Sequence, residues 1–206
     1  MEITDKELLS ATPADVLQAL KDKKVFIAGA GGLGSNVANM LLRAGIGGIT
    51  VADYDVIEPS NINRQFFFYN QIGRPKVEAL RENLTAVLPD ADIRTVNAKL
   101  TEDNFEELVP ADCDIIFECF DNPAAKASLV QFVLQKRSYI PLVAVSGIAG
   151  SDHPDRIRTK QISEKFYLVG DLESGIEDGL GTLSTRVMCA AAVQAHVGIQ
   201  ILMKSI

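Results

Sequence analysis

Gly29-Ala30-Gly31-Gly32-Leu33-Gly34 sets three glycines in G-x-G-x-x-G spacing between the apolar run Val25-Phe26-Ile27-Ala28 and a helical stretch, residues 35–44. No other feature of the chain constrains the fold as much. A glycine turn between a buried strand and a helix lets backbone amides approach a phosphate, and the helix N-terminus adds positive potential. Gly34 is followed by Ser35-Asn36 and not by Lys-Ser or Lys-Thr, so the loop is not a P-loop. Gly45 is placed to stop the helix, and residues 49–53 read as the second strand of a βαβ unit. Asp53 ends that strand, where an acid takes ribose hydroxyls.

The alternation continues downstream. Thr12-Pro13-Ala14-Asp15 predicts an N-cap, a proline at the first helical position and a short helix to about Leu20. Val77, Leu80, Leu84, Val87 and Leu88 form a helical stripe over residues 75–88. Residues 92–98 suit a strand, Thr101-Glu102-Asp103 opens a short acidic helix, and Ile115-Ile116-Phe117 lies in a buried strand. Asp121-Asn122-Pro123 then turns into a helix through Leu134, and residues 141–145 form a further strand. Strands alternating with helices predict an α/β fold, a Rossmann-like, doubly wound and mostly parallel sheet covered on both faces. After Gly147 the pattern becomes an antiparallel hairpin (156–162 and 165–169), a glycine-rich acidic loop (170–181) and a C-terminal helix (182–204). No linker interrupts the chain. Residues 1–206 are expected to form one domain, with a helical segment at 1–22, a nucleotide-binding core at 23–150 and a tail at 151–206.

Composition narrows the function. A 206-residue chain with 47% apolar and 23% charged residues fits a soluble globular protein. No apolar run reaches the roughly 18 residues of a membrane span. The start Met1-Glu2-Ile3-Thr4-Asp5 lacks a signal-peptide core, which predicts a cytoplasmic protein. A net charge of −7 argues against a nucleic-acid surface. Cys113, Cys119 and Cys189 form no C-x-x-C pair, so neither a structural zinc nor a disulfide framework is expected. Cys119 reads as a buried strand residue, Cys189 as core and Cys113 as an exposed thiol. Phe66-Phe67-Phe68 reads as core and subunit interface.

Three charged residues add what a dinucleotide site does not need. Arg64 and Lys76 follow the strand that carries Asp53, on the edge where open α/β sheets bind ligands. Surface salt bridging would be the plain explanation for either alone. Beside the glycine loop, two cations would neutralise charge on a triphosphate during in-line displacement. Asp121, beyond the 115–120 strand, is a hard carboxylate of the kind that Mg²⁺ takes next to phosphates, while Asn122 caps the helix. Asp55 and Glu58 read, by themselves, as solvated acids.

Gly-Ala-Gly-Gly-Leu-Gly-Ser at 29–35, Asp-Tyr-Asp at 53–55, Ser-Asn-Ile-Asn-Arg-Gln at 60–65, Gly-Arg-Pro-Lys-Val-Glu at 73–78 and Phe-Asp-Asn at 120–122 resemble the ThiF/MoeB/ubiquitin-activating superfamily. The chain is most similar to the short, zinc-free ThiF branch, the adenylyltransferases of the sulfur carrier ThiS; Val-Ser-Gly-Ile-Ala-Gly at 145–150 and Val-Gly-Asp at 169–171 share that likeness. The resemblance implies ATP-dependent adenylylation of the C-terminal glycine of a small ubiquitin-like carrier ending in Gly-Gly, releasing pyrophosphate, in thiamine thiazole biosynthesis. Arg64, Lys76 and Asp121 would be the catalytic residues, with Asp121 on Mg²⁺. Gly29, Gly31, Gly34, Asp53, Asp55, Asn61 and Gln65 would hold the nucleotide. ATP and Mg²⁺ without zinc, a ThiS-like partner and a homodimer follow from the same likeness, with neither nucleic acid nor membrane as a partner.

The chain departs from the family pattern in places. The N-terminal arginine that many members extend into the neighbouring site is missing, since the first arginine is Arg43; Arg156 or Arg158 is the candidate replacement. No cysteine falls between Cys119 and Cys189, so no covalent carrier intermediate is expected in the late loop. The 170–181 loop is ordered along the chain to close over a carrier tail. A different acceptor remains open: a molybdopterin-type carrier, a peptide C-terminus or a modified tRNA base. A nicotinamide-dependent oxidoreductase would share the glycine loop and Asp53. It lacks a visible catalytic group, because none of Tyr54, Tyr69, Tyr139 and Tyr167 has a lysine four residues later.

Overall fold

Val25 and Ile27 of strand β1 (Lys24–Ala28) face one side of a sheet, and Phe26 and Ala28 face the other, and all four are buried. A strand with no solvent face needs cover on both sides. The structure, a computed structural model, describes residues 4–175, 179 and 181–204. Helices α2 (Ala14–Leu20), α3 (Gly32–Ala44), α4 (Lys76–Val87) and α7 (Ser184–Lys204) pack on the Val25 face. Helices α5 (Phe105–Leu108) and α6 (Pro123–Lys136) pack on the Phe26 face, and a short α1 (Asp5–Leu8) precedes them all.

The remaining strands are β2 (Gly48–Asp53), β3 (Asp92–Asn97), β4 (Ile115–Glu118), β5 (Leu142–Val145), β6 (Arg158–Ser163) and β7 (Phe166–Gly170). They form one seven-stranded sheet in the order β3-β2-β1-β4-β5-β7-β6. Every pairing is parallel except β6 with β7, the late hairpin expected from sequence. Chain order reverses between β1 and β4, which opens a crevice beyond their carboxyl ends. The predicted α/β architecture is therefore the observed one.

Several local expectations shift. Helix α3 begins at Gly32, so Gly34 is inside it and not in the preceding loop. Pro13, not Thr12, is the N-cap of α2, and no side chain caps that end. Residues 101–103 form a turn closed by the Asn104 side chain, which accepts from the Thr101 amide at 2.8 Å, so α5 starts only at Phe105. Cys113 is buried, not exposed; its thiol donates to the Pro110 carbonyl at 3.3 Å, and burial pushes its pKa up to about 12. Phe67 is core, whereas Phe68 is half exposed. By length and composition α7 is apolar enough to cross a membrane, but Val187, Ala190, Ala191 and Ala195 are buried within the fold on one side of it. Of the 170–181 loop, residues 176–178 and 180 lie outside the described residues, and with them the closure expected there.

Candidate functional site

The chain leaves β1 through Gly29, whose φ of +100° belongs to the left-handed region that glycine enters freely. A Cβ there would lie 2.9 Å from the Cys119 carbonyl oxygen, just past β4. The loop thus passes close over the neighbouring strand, and the Gly29 amide donates to the Ala52 carbonyl at 2.8 Å. Gly34 packs beneath this turn, since a Cβ on it would be 1.8 Å from the Gly29 carbonyl oxygen. Gly31 is different. A Cβ there would meet only Gln65 Nε2, at 3.9 Å. Gly31 lines an open cradle, while Gly34 lets the helix approach the turn.

Asp53, at the end of β2, fastens this loop. Its Oδ2 accepts from the Ala30 amide at 2.6 Å and its Oδ1 from the Asp55 amide at 2.8 Å. Asp55 in turn pairs with Lys76, Oδ2 to Nζ at 2.8 Å, and the Lys76 side chain is only 9% exposed. Lys76 is the first residue of α4, the end of a helix where a cation is disfavoured. Backbone pairing of 55–57 with 73–76 holds it there: Lys76 N–H donates to the Asp55 carbonyl and Ile57 N–H to that of Arg74, each at 2.9 Å. Asp53, Asp55 and Lys76 therefore form one chain of contacts leading from the glycine loop.

Asn61 and Arg64 lie on the connection after β2. Asn61 is buried, and its Oδ1 accepts from the Glu58 amide at 3.1 Å. Arg64 donates from Nη1 to the Ser60 carbonyl and to Asn63 Oδ1, both at 2.9 Å. Gln65 is 7% exposed, and its Oε1 is buried without a partner. Its Nε2, a donor, is the atom that borders Gly31.

Asp121 follows β4 at the same carboxyl edge, exposed and without a hydrogen bond or ion pair among the described residues. Asn122 Oδ1 caps α6 by accepting from the Ala125 amide at 3.0 Å, as the sequence suggests. Among the described residues no three His, Cys, Asp or Glu side chains gather into a metal cluster. A lone free carboxylate fits a cation shared with phosphate oxygens, not one caged by protein.

Other functional side chains escape sequence reading. Glu118 ends β4 fully buried and pairs with Lys126 of α6 at 2.9 Å; Lys126 also donates to the Val145 carbonyl at 3.1 Å. Glu118 Oε1 accepts from the Phe120 amide at 2.7 Å, which braces the turn leading into Asp121. Burial raises the Glu118 pKa, and Lys126 opposes that rise. An acid inside the run Ile115-Ile116-Phe117-Glu118 was the available sign. Ser35 and Asn36, in the first turn of α3, also carry contacts with the Arg64 segment. Arg156 pairs with Asp152 and Glu173, and Arg158 donates to the Asp155 carbonyl at 3.1 Å. Both stand by β6, at the sheet edge remote from β1. Nearby, Arg186 and Asp171 form an ion pair with each side chain 3% exposed.

Residues 4–156 match the ThiF family model. The chain is 33% identical to ubiquitin-like modifier-activating enzyme 5 of Dictyostelium discoideum, over 97% of this chain and 58% of that protein. It is 36% identical to molybdopterin-synthase adenylyltransferase of Escherichia coli (strain K12), over 62% of this chain and 55% of that protein. The chain thus spans about half the length of these curated relatives. In fold it is similar to E. coli tRNA N6-threonylcarbamoyladenosine dehydratase solved with ATP, with a TM-score of 0.87, 22% identity and coverage of 100% and 98%. The glycine cradle, the Asp53 fastening and the family match over most of the chain agree: this protein belongs to the ThiF family.

Proposed function

We propose that this protein adenylylates the C-terminal carboxylate of a small ubiquitin-like sulfur carrier of ThiS type, using ATP and Mg²⁺. The observation that carries the reading is the glycine cradle pinned by Asp53, with the Arg64 stem 3.5 Å from where a Cβ on Gly32 would lie; Lys76 and Asp121 follow strands at the same carboxyl edge and are assigned by the proposal. A carboxylate oxygen of the carrier forms a bond to the α-phosphorus, the bond from that phosphorus to the bridging oxygen breaks, and pyrophosphate leaves with the electron pair. No side chain needs to act as nucleophile. Arg64 and Lys76 offset charge as it moves to the leaving group, and Asp53 holds the ribose hydroxyls. Mg²⁺, held by Asp121 together with phosphate oxygens, would supply further charge neutralisation. The likeness of Val-Ser-Gly-Ile-Ala-Gly at 145–150 and Val-Gly-Asp at 169–171 to the ThiS-type branch supports this choice of carrier.

A molybdopterin-type carrier is the second reading, favoured by the 36% identity to the E. coli adenylyltransferase named above. A homodimer in the cytoplasm belongs to the same proposal. ATP–pyrophosphate exchange, run with each carrier and with and without Mg²⁺, decides among these readings. Mg²⁺-dependent exchange with the ThiS-type carrier alone supports the first; exchange with only the molybdopterin type supports the second. Tight ATP binding with no exchange for either carrier overturns both.

A further inference from the structure

Ser35 and Asn36 are buried, at 0% and 5% exposure, in the first turn of α3. Asn36 Nδ2 donates to the Gly32 carbonyl at 2.7 Å and also to the Arg64 carbonyl at 3.0 Å. Ser35 Oγ donates to the Gly31 carbonyl at 2.7 Å and accepts from the Phe66 amide at 3.0 Å. Two consecutive helix residues therefore grip the main chain on either side of Gln65. Polar residues that bond only back to their own helix would not reach across in this way.

What they hold is the phosphate side of the site. A Cβ on Gly32 would lie 3.5 Å from Arg64 Cγ, so the arginine stem runs along the glycine loop. Gln65, between the two gripped groups, is 7% exposed and sets its Nε2 next to Gly31. The ribose side is fixed separately, by Asp53 through the Ala30 and Asp55 amides.

We infer that Ser35 and Asn36 are positioning residues that fix Arg64 and Gln65 over the glycine loop, so that preference for a nucleoside triphosphate over a monophosphate depends on them. This rests on the reading of the site as an ATP site. An arginine whose main chain is already fixed loses less freedom when it meets a phosphate. Without the grip, the Arg64–Phe66 segment would have to be ordered by the ligand, and a triphosphate would lose more affinity than AMP.

The test is calorimetric titration of ATP and of AMP, with Mg²⁺ present throughout, into wild type, Asn36→Ala, Ser35→Ala, Arg64→Ala and the double variant Asn36→Ala/Arg64→Ala. Asn36→Ala should weaken ATP about 10-fold and AMP no more than about 2-fold, and in the Arg64→Ala background its effect on ATP should vanish. Equal losses for ATP and AMP, or additive losses in the double variant, would reduce Asn36 to a structural role and overturn the inference. If Asn36→Ala does not fold, Ser35→Ala is held to the same comparison. A wild-type protein that binds neither nucleotide would bring down the site reading itself. Wild-type binding with unchanged discrimination in the variants would overturn only the positioning role.

Discussion

The Asp53 carboxylate accepts the Ala30 amide at 2.6 Å, so the acid at the end of β2 also pins the glycine loop after β1. Ala30 is fully buried, and Asp53→Ala leaves its N–H without that partner, at a cost of about 1–3 kcal/mol. Asp53→Asn is no gentler, because its amide turns a donor toward either the Ala30 or the Asp55 N–H. Both variants should melt earlier and bind ATP at least about 10-fold more weakly. Wild type should prefer ATP to an analogue lacking both ribose hydroxyls, and Asp53→Ala, although weaker for both, should lose that preference. Undiminished preference of Asp53→Ala for ATP over the analogue would remove Asp53 from the ribose.

Gly31 and Gly34 share a motif but should separate in experiment. Ala at position 34 would normally favour a helix by about 1 kcal/mol over glycine. Here its Cβ would sit 1.8 Å from the Gly29 carbonyl oxygen, so Gly34→Ala must move the loop and should lower the melting temperature. Gly31 has a φ of −78°, open to any residue, and its Cβ would have only Gln65 Nε2 nearby at 3.9 Å. Gly31→Ala should leave thermal stability within about 0.5 kcal/mol and weaken nucleotide binding. Thermal melts with and without ATP check both halves.

The centre of the sheet was legible because β1, β4 and β5 are buried on both faces and read as apolar runs, as in Ile115-Ile116-Phe117. Gly45 and Asn122 were legible because a left-handed C-cap and a side-chain N-cap are local matters. What stayed hidden was long-range. Asn36 reaches Arg64 across 28 residues, and Gln194 Nε2 donates to the Glu118 carbonyl across 76, separations that no periodicity records. Cys113 was misread because its polar neighbours Asp112 and Asp114 suggest a surface, while its own side chain turns into the α5–α6 layer.

Lys126→Met should destabilise the fold by about 3–5 kcal/mol, because it strands the Glu118 carboxylate in a dry site. Burial already raises the Glu118 pKa, and the substitution removes the cation that opposes that rise. A carboxyl with a raised folded pKa supports the fold while protonated and loses that support as pH rises through the folded value. Lys126→Met should therefore be closest to wild type in acid and fall behind as pH increases. Glu118→Gln/Lys126→Met should recover much of the loss, since no charge is left buried. Denaturant unfolding across pH measures all three; a pH-independent deficit would mean that Lys126 acts by packing alone.

Asp171 predicts the opposite pH dependence. Burial alone would raise its pKa, but the Ser174 and Glu173 amides, the Ser174 hydroxyl and Arg186 together outweigh burial and bring it down from 3.8 to about 2. A depressed folded pKa means that the folded state favours the carboxylate, so the stabilisation is complete above 3.8 and is lost as pH falls toward 2. At 1.36 kcal/mol per pKa unit the shift corresponds to about 2 kcal/mol. Asp171→Asn keeps the shape but not the charge, and it leaves Arg186 buried beside a neutral amide. The variant should therefore be destabilised at neutral pH, and its deficit should shrink as acid protonates the wild-type carboxyl. Urea titrations of both proteins between pH 2 and 6 provide the comparison. A deficit constant through that window would show that Asp171 holds the Ser174 turn and Arg186 without its charge.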